Sequence, residues 1–323
     1  MMNDIDILNK IKIIIKKDFY YKLNNNICIE LDLTSEDYIY KGLCRHSTIK
    51  EKREILKLIG KLTNLEVLNL RRCMFFNIDD NYFKLLPNLK FLDLGSNYLK
   101  NIPSSIKYLQ KLEYLNLAVN ELNKCPNIFE ELSLLKKLNL HKNKFKILDE
   151  SISSLKKLES LNIYGLNLKE TPMFIFNLNN LNNLVLSHFN NIPREIENLH
   201  NLEYFTNNIA IKLYSLPDEF TSLKKLKMAR IYQNSLKYLP KNFGNLKNLE
   251  QLSLYQNKLT ELPSSFINLQ KLEKLNLSWN QFTKFPKEIK SLQNLKWLGY
   301  YLNNTDIPDL NHIDKIITNR IEQ

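Results

Sequence analysis

Cys44 and His46 place a thiol and an imidazole two residues apart, the pair a cysteine nucleophile needs if a base is to take its proton. On a strand the two side chains would share a face. Nothing else marks that place as a site, and a chance neighbourhood is the better account, because free cysteines commonly serve as small apolar residues. The other chemistry-bearing residues suggest less. The four cysteines form no Cys-x-x-Cys and the five histidines no His-x-x-x-His, so the common zinc frameworks are missing. The six glycines make no Gly-x-Gly, which excludes phosphate-cradling and dinucleotide loops. No catalytic residue, metal site or cofactor is expected, and no small-molecule substrate.

Side chains without a reaction can still build a surface, and here a repeat positions them. Aligned on Leu-x-x-Leu-x-Leu-x-x-Asn-x-Leu-x-x-Ile-Pro-x-x-Ile-x-x-Leu-x-x, the chain shows eleven starts: Leu65, Leu89, Leu112, Leu135, Leu158, Leu181, Leu202, Leu226, Leu249, Leu272 and Leu295. The spacing is 23 residues except for 24 after Leu65, 21 after Leu181 and 24 after Leu202. The period-two alternation of the opening leucines marks a short strand with one buried face. Strands returning after such an excursion pair in parallel with their copies, and each unit buries its apolar face only by stacking on the next. Prolines in the returning arc, among them Pro103, Pro193, Pro217, Pro263 and Pro286, disfavour a full helix there and predict extended or 3₁₀ turns.

This pattern resembles the leucine-rich repeat family, in its 23-residue Leu-Pro-x-x-Ile subtype, over Leu65 to about Asn304. The resemblance implies an α/β solenoid, a horseshoe with a parallel concave sheet, an extended or 3₁₀ convex arc and a helical N-terminal cap. Three parts are expected: a helix-and-strand cap over 1–64, the repeats over 65–304 and a C-terminal cap over 305–323. In the cap, Leu8, Ile11, Ile14 and Ile15 share a helical face. Ile27, Ile29, Leu31 and Leu33 alternate as a strand does. Thr48 and Glu51 have capping-box spacing ahead of a second helix that turns Ile55, Leu58, Ile59 and Leu62 inward. Ile307, Pro308, Ile313, Ile316 and Ile317 make a closing element.

The ninth repeat position is an inward amide at Asn97, Asn120, Asn143, Asn234, Asn257, Asn280 and Asn303, a ladder able to satisfy backbone groups where the chain leaves the sheet. Cys73 takes the place in the first repeat. The ladder lapses at Leu166, Phe189 and Ala210, in the repeats of irregular length, where Phe189 is expected to bury itself in the space left by a missing arc leucine.

Positions three, five and seven point away from the core. They hold the candidate partner-binding residues Arg71, Phe91, Tyr114, His141, Tyr164, Tyr204, Met228, Arg230, Tyr232, Tyr255, Trp297 and Tyr301, with Trp279 nearby. The C-terminal members form an aromatic patch with a basic residue, a composition enriched at interface hot spots. Position five, mostly asparagine, carries no message about a partner.

The net charge is +12, yet the lysines recur in Leu-Lys-Lys-Leu units such as Lys136–Lys137, Lys156–Lys157 and Lys224–Lys225, the mark of a solvated face. The longest apolar run in the first twenty residues is Ile13 to Ile15, short of the about 7–15 residues of a secretory core. A cytoplasmic, non-catalytic scaffold binding a protein partner on the concave face is the leading expectation. Nucleic acid or an acidic membrane surface is the alternative partner, and a secreted or host-directed effector or adhesion protein the second alternative.

Overall fold

The computed structural model describes residues 2–34, 47–166, 168–310 and 312–317, and the Cys44–His46 pair lies outside them. The chain divides into two compact units, Met1–Ile175 and Phe176–Gln323.

The first unit opens with α1 (Asp4–Ile15), the hairpin strands β1 (Tyr20–Asn24) and β2 (Ile27–Asp32), and α2 (Ile49–Ile59). Asn3 caps α1 by accepting the Asp6 N–H at 2.8 Å, and the helix ends at Lys16 with φ 58°. Its buried face is Ile7, Leu8, Ile11 and Ile15, with Ile14 only partly covered. The Asp4 carboxylate accepts the Cys28 N–H at 2.8 Å and ties α1 to β2. The capping box of α2 is present, with the Thr48 hydroxyl accepting the Glu51 N–H at 3.2 Å and the Glu51 carboxylate accepting the Thr48 N–H at 2.6 Å.

The expected alternation in β2 is corrected. Lys22 pairs with Glu30 and Leu23 with Cys28, so Ile29 is the extra residue of a bulge. One inserted residue shifts the phase of a period-two pattern. Cys28, Leu31 and Leu33 are buried as a result, while Ile27 is 41% exposed.

Five repeat strands follow: β3 (Val67–Asn69), β4 (Phe91–Asp93), β5 (Tyr114–Asn116), β6 (Lys137–Asn139) and β7 (Ser160–Asn162). From β2 onward each pairs in parallel with the next. The register places Val67, Phe91, Tyr114, Lys137 and Ser160 in one row. Positions one, four and six of each of these repeats, leucines such as Leu65, Leu68 and Leu70 except for Ile163, are buried.

The second unit holds β8 (Asn183–Ser187), β9 (Tyr204–Asn208), β10 (Met228–Arg230), β11 (Gln251–Ser253), β12 (Lys274–Asn276), β13 (Trp297–Gly299) and β14 (Lys315–Ile317), again parallel neighbours in order. The arcs return through short 3₁₀ turns such as Ser264–Asn268, which follows Pro263. Phe205, Phe220, Phe243 and Phe266 are fully buried and run as a spine with centroids 5.3, 6.4 and 6.1 Å apart.

Two backbone devices turn the chain off each strand. Position eight takes a left-handed φ in every repeat, between 49° at Lys142 and 70° at Gly165. That conformation aims its N–H at the next repeat; Val119 donates to the His141 carbonyl and Trp279 to that of Tyr301, both at 2.7 Å. The asparagine ladder follows at position nine. The Asn120 amide donates to the carbonyls of Leu94 and Leu117 at 3.0 and 3.1 Å, and its oxygen accepts the Leu99 N–H at 3.0 Å. Asn97, Asn143, Asn234, Asn257, Asn280 and Asn303 bridge neighbouring repeats in the same manner. Each amide satisfies backbone groups that would otherwise be buried unpaired.

Where the ladder lapses, Leu166, Phe189 and Ala210 are all buried. Phe189 sits inward at 5% exposure, as expected. Its backbone finds a substitute amide one repeat on. Asn207, fully buried at position six of β9, donates to the Phe189 carbonyl at 2.9 Å and accepts the Phe189 N–H at 3.3 Å.

Candidate functional site

In the first unit the ring faces of Phe91 and Tyr114 stack on adjacent strands, with centroids 4.2 Å apart and planes within 5°. Next to them Asp93 is buried, its carboxylate accepting the Gly95 N–H at 2.7 Å and an Asn116 amide hydrogen at 2.9 Å. Burial pushes the Asp93 carboxyl above its usual range, against those hydrogen bonds and the positive charge of Arg71. The Arg71 Nε is itself buried with no hydrogen-bond partner among the described residues. His141 and Tyr164 have ring centroids 5.1 Å apart, and the His141 Nδ1 lies 3.1 Å from the Tyr164 carbonyl. Burial lowers the His141 pKa.

Position five has a role that the sequence reading missed. Asn69, Asn116, Asn139 and Asn162 each accept the N–H two residues on, at 3.0–3.1 Å. This is the local turn that short amide side chains favour, so these residues hold the exit from the strand.

In the second unit the strand face sinks into a depression of about 280 Å³, lined by Met228, Arg230, Gln251, Ser253, Lys274, Asn276 and Trp297 over the buried Ala229 and Leu252. The register explains its shape. Met228, Gln251, Lys274 and Trp297 form one row and Arg230, Ser253, Asn276 and Gly299 the next. Ser253 and Gly299 are small, and a Cβ on Gly299 would meet Asn276 Oδ1 at 2.7 Å and the Trp297 ring at 2.8 Å. The missing side chain therefore lets the indole lie close over the strand.

Of the sequence-selected residues, Met228, Arg230 and Trp297 come together in this depression. Tyr204 pairs with Met228 across the strands and is 41% exposed. Tyr232, Tyr255 and Tyr301 are half-buried at position seven, outside the lining. Trp279 lies past its strand, 39% exposed, with its ring edge-on to Tyr301 at 6.3 Å. Gln251, Ser253, Lys274 and Asn276 were passed over by a selection weighted to aromatic residues, although their positions three and five were readable.

Comparison with known proteins agrees with this repeat geometry. A leucine-rich repeat profile matches residues 63–122, and a leucine-rich repeat region profile matches residues 214–316. A leucine-rich repeat protein of Leptospira interrogans is 32% identical, covering 77% of this chain and 70% of its own, with a TM-score of 0.63. The chain belongs to the leucine-rich repeat family. The plant peptide hormone receptor RGFR1, solved in complex with RGF2, is 30% identical over 75% of this chain and 40% of its own, with a TM-score of 0.64. An internalin of Listeria monocytogenes shares the fold at 20% identity, covering 97% of this chain and 88% of its own, with a TM-score of 0.71. Leucine-rich repeat proteins are in general non-catalytic binding scaffolds. Among the described residues no helix is long and apolar enough to cross a membrane, and no cluster of three His, Cys, Asp or Glu could hold a metal.

Proposed function

We propose that this leucine-rich repeat chain is a non-catalytic scaffold that binds a protein partner on the concave strand face of repeats eight to eleven. The observation that carries the reading is the depression of about 280 Å³ between Met228, Arg230, Lys274 and Trp297. It combines aromatic, thioether and guanidinium groups, the side chains that anchor interfaces. The plant receptor, solved in complex with RGF2, supports the same use of the fold. The division into a cap over 1–64, repeats over 65–304 and a closing segment over 305–323 belongs to this proposal. So does a place inside the cell, which the free thiols of Cys28, Cys73 and Cys125 support and fractionation of native cells tests.

The test is affinity capture from native lysate with wild type and with Tyr232→Ala/Tyr255→Ala/Trp297→Ala. Loss of a captured protein with the triple variant is expected. Equal recovery contradicts the site. The alternative of a nucleic-acid or acidic-lipid partner rests on the net charge of +12 and requires an affinity that falls steeply with salt.

A further inference from the structure

We infer that the depression in repeats eight to eleven takes an extended acidic segment of a polypeptide, with an apolar side chain set among its carboxylates. The inference rests on the proposed protein-binding role and adds the chemistry of the partner. Arg230 and Lys274 are both exposed on the strand face, and none of the lining residues carries a carboxylate. The two cations stand two strands and two register positions apart, about 12 Å on the diagonal at ~4.8 Å per strand and ~3.4 Å per residue. Met228 and Trp297 lie at opposite ends of the same row, three strands apart, or about 14 Å. A chain rising ~3.4 Å per residue crosses that distance in about four residues and turns alternate side chains toward the surface. A segment with two acidic residues four positions apart and an apolar residue midway therefore meets both cations and keeps its apolar group near Met228 or Trp297. Carboxylates favour a guanidinium for its forked donors and an ammonium for its charge.

A membrane or a nucleic acid would also answer to the cations, but a membrane has no use for an indole lying over a glycine strand. Single-stranded nucleic acid, which does stack bases on aromatic rings, draws its affinity from many phosphate contacts, where this lining offers two cations. At Gly299 a Cβ would stand 2.8 Å from the Trp297 ring, so the backbone there is shaped around an apolar contact.

The experiment uses the full chain and a fluorescent, end-capped peptide with two glutamates four positions apart and a leucine midway. Two control peptides replace the glutamates by lysines, or the leucine by serine. Saturable binding of the first peptide is expected, with a change in tryptophan fluorescence. Arg230→Glu/Lys274→Glu is expected to weaken it at least about tenfold and to bind the lysine peptide instead. That gain of binding separates charge complementarity from a folding defect. No saturable binding by wild type up to about 1 mM, or an affinity untouched by the charge reversal, overturns the inference. Equal affinity for the serine peptide, together with binding to single-stranded RNA or acidic vesicles, overturns it in favour of a polyanion site. If the peptide fails while Tyr232→Ala/Tyr255→Ala/Trp297→Ala still loses its captured protein, the acidic-segment inference falls and the protein-binding role stands. If the peptide binds while the triple variant keeps its captured protein, the acidic-segment inference stands and that captured protein is held elsewhere on the chain.

Discussion

Asn207→Leu puts the residue type of the repeat pattern back into position six, between Leu186 and Ile231 of the adjoining repeats, and it is expected to destabilise the protein. The wild-type amide is fully buried and makes two hydrogen bonds, at 2.9 and 3.3 Å, to the backbone of Phe189. Replacing it leaves a buried N–H and a buried carbonyl unpaired, at ~1–3 kcal/mol each. Burying a leucine there returns ~1.5–3 kcal/mol. The balance is a net loss of about 2 kcal/mol. Asn207→Ala, which lacks the apolar gain, should lose more. Urea unfolding followed by circular dichroism checks the order, with midpoints falling from wild type through Asn207→Leu to Asn207→Ala. An Asn207→Leu variant as stable as wild type, or more so, refutes the claim that Asn207 stands in for the missing ladder amide.

Three other outcomes follow from named contacts. Tyr300 is 2% exposed and its hydroxyl has no hydrogen-bond partner among the described residues, so Tyr300→Phe should raise the unfolding midpoint by about 1 kcal/mol of stability. Gly244→Ala places a Cβ 1.8 Å from the Ser265 backbone carbonyl oxygen; the arcs must separate, and a loss of ~1–3 kcal/mol or more is expected in the same assay. Burial raises the folded-state pKa of Asp93 above its ordinary value of 3.8, so the folded form holds its proton more tightly than the unfolded form. The stability that Asp93 contributes is full below pH 3.8 and is lost as pH rises through the folded pKa. Unfolding of Asp93→Asn against wild type across acidic pH should therefore shift in the variant's favour with rising pH. A difference that is flat, or that moves the other way, contradicts the assignment.

The repeat was legible because its leucines mark both period and facing at once. Leu65, Leu68 and Leu70 are buried, since parallel pairing fixes their neighbours. The cap was legible only by element. Thr48 and Glu51 announced their helix, but the alternation of Ile27 and Ile29 misled, because a bulge shifts phase without any marker in residue type. Asn207 carries no signal at its leucine position, since its value lies in the Phe189 backbone of the preceding repeat, which no single-repeat template contains. The depression was half visible. Met228, Arg230 and Trp297 stood out by type, whereas its depth depends on Ser253 and Gly299 being small beside large neighbours in register, a property of three adjacent strands together.

The central claim is that the strand face of repeats eight to eleven contacts the partner, and site-specific photo-crosslinking tests it most directly. A benzophenone amino acid at Gln251, in the lining of the depression, is compared with one at Ile267, which is 43% exposed on the 3₁₀ arc of the same repeat. Irradiation in native lysate should give a discrete protein adduct from position 251, suppressed by excess unlabelled wild type, and none from position 267. An adduct from 267 alone, or equal adducts from both positions, contradicts the account.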